Sequence, residues 1–132
     1  MATRICVIDD DASFRRLCEA ILKGEGFVCE FIESPSQAAE EVAASRPDLI
    51  IMDLRLGEEV DGVEILLAIK ESPDTRDIPV LVCSASKDLI DHNRSLLERL
   101  GCEVVDKPFG IDDLLAAIER CLAPVEETNG AH

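Results

Sequence analysis

Three consecutive aspartates, Asp9, Asp10 and Asp11, close the apolar run ICVI, and a fourth, Asp53, closes the run LIIM. Two carboxylates about 4 Å apart repel by roughly 4 kcal/mol at the effective dielectric of a protein surface, a large share of a small domain's stability. Something cationic must offset that repulsion. Ser84 follows the run VLVC, and Lys107, with Pro108 after it, follows CEVV. Asp9, Asp10 and Asp53 sum to three negative charges, so Lys107 and a divalent cation together bring the set to neutrality. Oxygen-only ligands suit a hard cation, and a partly hydrated octahedral Mg²⁺ that also touches a phosphate oxygen is favoured over calcium's larger cage, with Mn²⁺ able to substitute. An aspartate backed by a metal and a fixed ammonium is a competent nucleophile toward phosphorus. Asp11, standing between strand and helix, reads as a helix cap.

For these groups to meet, the chain must bring distant segments to one edge. Runs 4–8, 27–32, 49–52, 80–83 and 102–105 have the length and β-branched content of strands. Between them lie helical patterns. Phe14, Leu17, Cys18, Ile21 and Leu22 recur on one face before Gly24 and Gly26. Ser34 and Gln37 form a capping-box pattern around Pro35 for a second helix. A third helix is predicted over 62–72, a fourth over 88–100, and a fifth carrying the stripe Ile111, Leu114, Leu115, Ile118 and Leu122. Within the third, Leu67 is assigned to the core. Such alternation predicts an α/β fold: a doubly wound, five-stranded parallel sheet with five helices, the apolar third strand at its centre. Ligands of such sheets bind beyond the carboxyl ends of the strands, where the order reverses. All the groups named above lie there.

With 132 residues there is room for one domain, predicted over 1–123 with a polar tail over 124–132. A net charge of −15 argues against nucleic acid or anionic membrane as partner, since both select clustered Lys and Arg. No apolar run reaches the roughly 20 residues needed to span a bilayer, and the N-terminus lacks a signal-peptide layout, so a cytoplasmic address is expected. Cys6, Cys18, Cys29, Cys83, Cys102 and Cys121 are widely spaced within apolar segments and read as small buried hydrophobes of a reducing compartment. A nucleophilic pairing of Cys83 with His92 is disfavoured, because His92 falls on the polar side of its helical pattern.

In order and spacing, VIDDD, IMDL, CSA and DKPF resemble the receiver domain of two-component response regulators, from about Arg4 to Leu122. The resemblance implies the flavodoxin-like strand order 2-1-3-4-5 and a set of roles. Asp53 would be the phosphoacceptor, taking its group from a sensor histidine kinase or a histidine phosphotransfer protein. Asp9 and Asp10, with Asp53 and the backbone carbonyl of Arg55, would hold Mg²⁺. Ser84, Ala85 and Lys107 would bind the phosphoryl oxygens, with a cis Lys107–Pro108 peptide aiming the lysine. Ser84 would switch on phosphorylation, and a downstream protein or a second copy would dock on the face of the fourth helix, fifth strand and fifth helix. Arg55 and Ser86 stand where family members tune the lifetime of the phosphoryl group. The chain is thus expected to be a stand-alone receiver and phosphoprotein of a phosphorelay, not a turnover enzyme.

Three positions depart from the family pattern. Gly57 stands where many receivers have proline, and DLRLGEEVDG carries an extra residue with Glu58 and Glu59 near metal entry. Val104 occupies the usual aromatic position of the switch, so transmission would use loop movement and helix repacking. Two other readings use the same residue types. A dehalogenase-type phosphatase also combines Asp, Mg²⁺, Ser or Thr and Lys, but places its nucleophile after the first strand. A degenerate receiver would bind partners without phosphorylation.

Overall fold

The computed structural model describes residues 2–32, 35–56 and 61–123. Its strands are β1 (Arg4–Ile8), β2 (Val28–Phe31), β3 (Leu49–Met52), β4 (Val80–Ser84) and β5 (Glu103–Asp106). The helices are α1 (Ala12–Gly24), α2 (Ala38–Ser45), α3 (Gly62–Glu71), α4 (Lys87–His92), α5 (Arg94–Arg99) and α6 (Ile111–Leu122). All strand pairs are parallel, in the order β2-β1-β3-β4-β5. This is the expected doubly wound sheet.

Alternate residues of the three inner strands feed two cores. Cys6, Ile8, Ile50, Met52, Val80 and Val82 face the side covered by α2 to α5. Ile5, Val7, Leu49, Ile51, Leu81 and Cys83 face the side covered by α1 and α6. A sheet covered on both faces leaves its carboxyl edge as the place where polar groups can emerge. Asp53 N–H donates to the Ile8 carbonyl at 3.2 Å and Lys107 N–H to the Ser84 carbonyl at 3.0 Å, so the ladder continues one step beyond the strands and sets the site's spacing.

Several details differ from the sequence pattern. The fourth predicted helix is two, α4 and α5, broken at Asn93, whose φ of −107° and ψ of 13° leave helical geometry. Its amide side chain donates to the Leu89 carbonyl and competes with the helix ladder. The chain after β2 first makes a short 3₁₀ turn at Pro35–Gln37, so α2 starts later than the capping-box pattern implied. Ser34, Gly57, Glu58, Glu59 and the tail 124–132 lie outside the described residues. Leu17 and Ile111 belong to apolar stripes yet are exposed, because each lies on the rim of its helix face beyond the sheet's reach. Leu67 is half-buried and outside both cores, which corrects its core assignment. Cys29, Cys102 and Cys121 are likewise only half-buried. Burial is the main cause that raises the thiol pKa values, to about 12 at Cys6 and Cys18.

At the end opposite the aspartates, Arg4 ties β1 to β2 and to the α2–β3 connection. Its Nε donates to Glu30 at 2.9 Å, and its guanidinium also reaches the Ser45 carbonyl. That bond from Arg4 holds the Glu30 carboxyl below its ordinary value. A lowered folded pKa contributes stability above the unfolded value and loses it as pH falls through the folded one. Glu30→Gln is therefore expected to lower Tm near neutral pH, with the difference between the two proteins shrinking as pH falls below the ordinary carboxylate range; thermal scans from neutral to acid pH check it.

Gly62 opens α3 against the loop that carries Asp53. A Cβ there would meet the Leu54 carbonyl oxygen at 2.5 Å and that of Asp53 at 2.7 Å, both backbone atoms. Gly62→Ala should destabilise the domain by about 1–3 kcal/mol through overpacking, measured by urea unfolding, and should shift the Asp53 amide resonance.

Candidate functional site

Asp9 follows β1 and is only 3 % exposed, deep for a carboxylate. Its Oδ1 accepts the Asp11 N–H at 2.9 Å and its Oδ2 accepts from Lys107 Nζ at 2.8 Å. Arg15 of α1 donates to the Asp9 carbonyl at 2.7 Å and holds the backbone of the turn. Asp53 Oδ1 accepts the Arg55 N–H at 3.0 Å, and its Oδ2 accepts from Lys107 at 3.2 Å. One ammonium thus joins the ends of β1 and β3 from the end of β5. The Lys107–Pro108 peptide is cis.

Burial is the largest influence on Asp9 and pushes its carboxyl up, aided by the charge of Asp53; the bonds from Lys107 and the Asp11 N–H only partly counter it. For Lys107, burial is again the largest single influence and acts downward. The hydrogen bond and charge of Asp9, then the charge of Asp53, together outweigh it and hold the ammonium above its ordinary value. The lysine is held in its charged form, while burial works against the charge of Asp9.

Asp10 differs from both neighbours. It is exposed, with no hydrogen-bond or ion-pair partner among the described residues. Asp11 is the cap of α1, accepting from the Ser13 and Phe14 N–H groups. Asp9, Asp10, Asp11, Asp53, Arg55, Ala85 and Lys107 line a single cleft of about 370 Å³. With Asp11 committed to its helix, three carboxylates stand against Lys107 and the exposed Arg55, which still leaves an excess of negative charge that suits a cation. No group of three or more His, Cys, Asp or Glu side chains stands ready-made for a metal among the described residues. The protein donors available there are a few carboxylates and the backbone. That set fits Mg²⁺, which keeps several waters, and does not fit a Ca²⁺ cage.

An adjoining cleft of about 180 Å³ is lined by Asp53, Arg55, Ser84, Ala85 and Ser86. Ser84 is 1 % exposed, and its Oγ accepts the Ser86 N–H at 3.1 Å, with no bond to Asp53 or Lys107. Ser86 in turn caps α4, its Oγ accepting the Leu89 N–H at 3.3 Å. The sequence-predicted residues are therefore gathered into two clefts that share Asp53, Arg55 and Ala85. Val104 lines neither; it is half-buried against the core on the α4 and α5 side. Cys83 is wholly buried and His92 exposed, so no nucleophilic pair forms.

Sequence reasoning missed three contributors. Phe14 lies beneath the ammonium, with Lys107 Nζ 3.9 Å from its ring centroid. Phe109 packs on Phe14 edge to face, and Arg15 anchors the Asp9 turn. Phe14 looked like any member of an apolar stripe, and spacing alone carries no signal for its second contact.

The family model described as response regulator receiver domain matches residues 5–119. The DNA-binding transcriptional regulator NtrC of Escherichia coli K12 is 32 % identical over 123 residues, covering 93 % of this chain and 25 % of NtrC. The response regulator MprA of Mycobacterium ulcerans is 30 % identical, covering 92 % of this chain and 51 % of MprA. The chain thus spans between about a quarter and about half of these relatives' length. A solved receiver domain of the sensor histidine kinase PA1611 from Pseudomonas aeruginosa superposes with a TM-score of 0.78 at 23 % identity, covering 92 % of this chain and 98 % of its own. That structure has a magnesium ion coordinated in its active-site cleft.

Removing the ammonium should expose its value to folding. Lys107→Met leaves two buried carboxylates facing each other, and an expected loss of about 2–4 kcal/mol in urea unfolding at neutral pH without metal follows.

Proposed function

The chain belongs to the response regulator receiver domain family, and from that premise we propose that Asp53 accepts a phosphoryl group in a Mg²⁺-dependent reaction. The donor is the phosphohistidine of a sensor histidine kinase or a histidine phosphotransfer protein, and the product switches the docking of a downstream protein. The observation that carries this reading is the Lys107 ammonium, bonded to both Asp9 and Asp53 beside the exposed Asp10.

The two bonds that Asp53 accepts orient its carboxylate, leaving lone pairs on the cleft side. An Asp53 oxygen attacks phosphorus, an O–P bond forms as the N–P bond breaks, and the bonding pair stays with the imidazole nitrogen. Asp10, Asp9, Asp53 and the Arg55 carbonyl are the residues that would hold Mg²⁺, with Mn²⁺ as substitute. When bound, the metal neutralises charge spreading over the equatorial oxygens. Lys107 meets the same charge as a point cation, and Ala85 and Ser84 border the space the phosphoryl oxygens would enter.

Phosphorylation leaves a group carrying roughly two negative charges where a carboxylate stood. Ser84 would turn toward it, and the chain of bonds from Ser84 to Ser86 to the start of α4 gives that motion a route to the α4–α5, β5 and α6 face. This route supports transmission without an aromatic at Val104. The partner is a protein, a second copy included; a net charge of −15 disfavours direct contact with nucleic acid or anionic membrane. No described helix is long and apolar enough to cross a membrane. Six cysteines, all free, fit a reducing cytoplasmic address. Arg55 and Ser86 border the cleft where water would approach the acyl phosphate, which supports their part in its lifetime.

Incubation with acetyl phosphate and Mg²⁺, followed by intact mass and site mapping, should add one phosphoryl group at Asp53. Chelation of the metal or Asp53→Asn should abolish it. Mg²⁺ should also raise Tm, and Asp10→Asn should remove that rise while increasing Tm in EDTA, because one repelling charge is gone. Turnover of phosphomonoesters without labelled Asp53 would favour the phosphatase reading instead. Metal-independent partner binding that survives Asp53→Ala would favour a degenerate receiver.

A further inference from the structure

The ammonium of Lys107 has three N–H bonds, and the carboxylates of Asp9 and Asp53 account for two. Among the described residues it also lies over the face of Phe14, 3.9 Å from Nζ to ring centroid. That distance is well inside the range in which a ring's negative face attracts a cation, and partial burial of the ammonium strengthens the attraction. The three contacts come from three elements: the end of β1, the loop after β3, and α1.

These contacts do not respond alike to the reaction. When Asp53 becomes an acyl phosphate, the carboxylate that bonded Lys107 is no longer a free carboxylate, and a metal would compete for Asp9. The ring carries no net charge and takes part in no bond exchange. It is the one contact of the ammonium that the chemistry leaves unaltered. Phe109, two residues beyond Lys107, packs on Phe14 with centroids 5.9 Å apart and an interplanar angle of 81°. The β5–α6 connection therefore grips the same ring twice, once with a cation and once with an aromatic edge.

We propose that Phe14 is a positioning residue for phosphoryl transfer, acting through Lys107: its π face fixes the ammonium over the cleft before and after the group arrives. The inference rests on the phosphoacceptor reading above. Phe14 is only 7 % exposed and belongs to the core on the α1 and α6 side, so its packing must be separated from its hold on the cation.

Two readouts do so. The first is the ¹H–¹³C spectrum of the Lys107 Cε group in the metal-free, unphosphorylated protein, where protons above an aromatic face are moved upfield by the ring current. The shift should be present in wild type, in Phe14→Tyr and in Phe109→Leu, and lost in Phe14→Leu. The second is the Mg²⁺-dependent rate of Asp53 phosphorylation across a range of acetyl phosphate concentrations. Phe14→Leu should lower the maximal rate by about 5-fold, the scale of a cation–π contact, with the half-saturating donor concentration nearly unchanged. Phe14→Tyr should restore the rate, and Phe109→Leu, which thins the same core without removing the ammonium's partner, should keep most of it. If Phe14→Leu fails to fold, Phe14→Met makes the same comparison with an unbranched, more adaptable side chain of similar volume. A wild-type rate in the aliphatic variant, a Lys107 shift that survives it, or an equal fall in Phe109→Leu would overturn the positioning role alone. Failure of wild type to take up the phosphoryl group would overturn the underlying reading and this role with it.

Discussion

A single ammonium bridging two carboxylates from different strands is the constraint around which the rest of this molecule is arranged. Asp9 and Asp53 close neighbouring strands whose parallel register brings Ile8 opposite Met52. Their charges would repel across the top of the sheet at a cost of several kcal/mol without a cation. Lys107 provides it from the end of β5, two strands away from Asp53's β3. The pair of bonds it makes is what turns three strand ends into a site.

The bridge is incomplete by design of its charges. Asp10 has no partner among the described residues, and burial pushes Asp9 up against the pull of Lys107. A domain selected for stability alone would not retain this arrangement. Magnesium binding and aspartate phosphorylation are general to the family, and each fits an excess of negative charge held beside a fixed cation. The stability lost at the sheet edge is offset in the two cores, where twelve alternating side chains from β1, β3 and β4 are sealed from water.

Much of this is legible in the sequence. LIIM, four buried residues in a row, could only be a central strand, and Asp53 at its end could only emerge at the carboxyl edge. Asp11 was readable as a cap because its neighbours start a helix. The break at Asn93 was not readable, since the apolar pattern of 88–100 runs through it and the competing side-chain bond to Leu89 is decided by local geometry. Leu17 and Ile111 misled for a related reason. A stripe names a helix face, while the width of that face that meets the sheet depends on how the helix is seated.

What the order of residues determined by itself is the inventory and the winding: which segments pair, on which edge their polar ends emerge, and how many charges meet there. Periodicity and charge are local properties, so they can be read along a line. Only the folded chain decided which oxygen each donor occupies, that Asp10 bonds none of the described residues, that Ser84 faces Ser86 and not the lysine, and that Phe14 lies under the cation. Those outcomes depend on distances between residues far apart in the chain, set by the packing of helices on the sheet, and no spacing in the sequence encodes them.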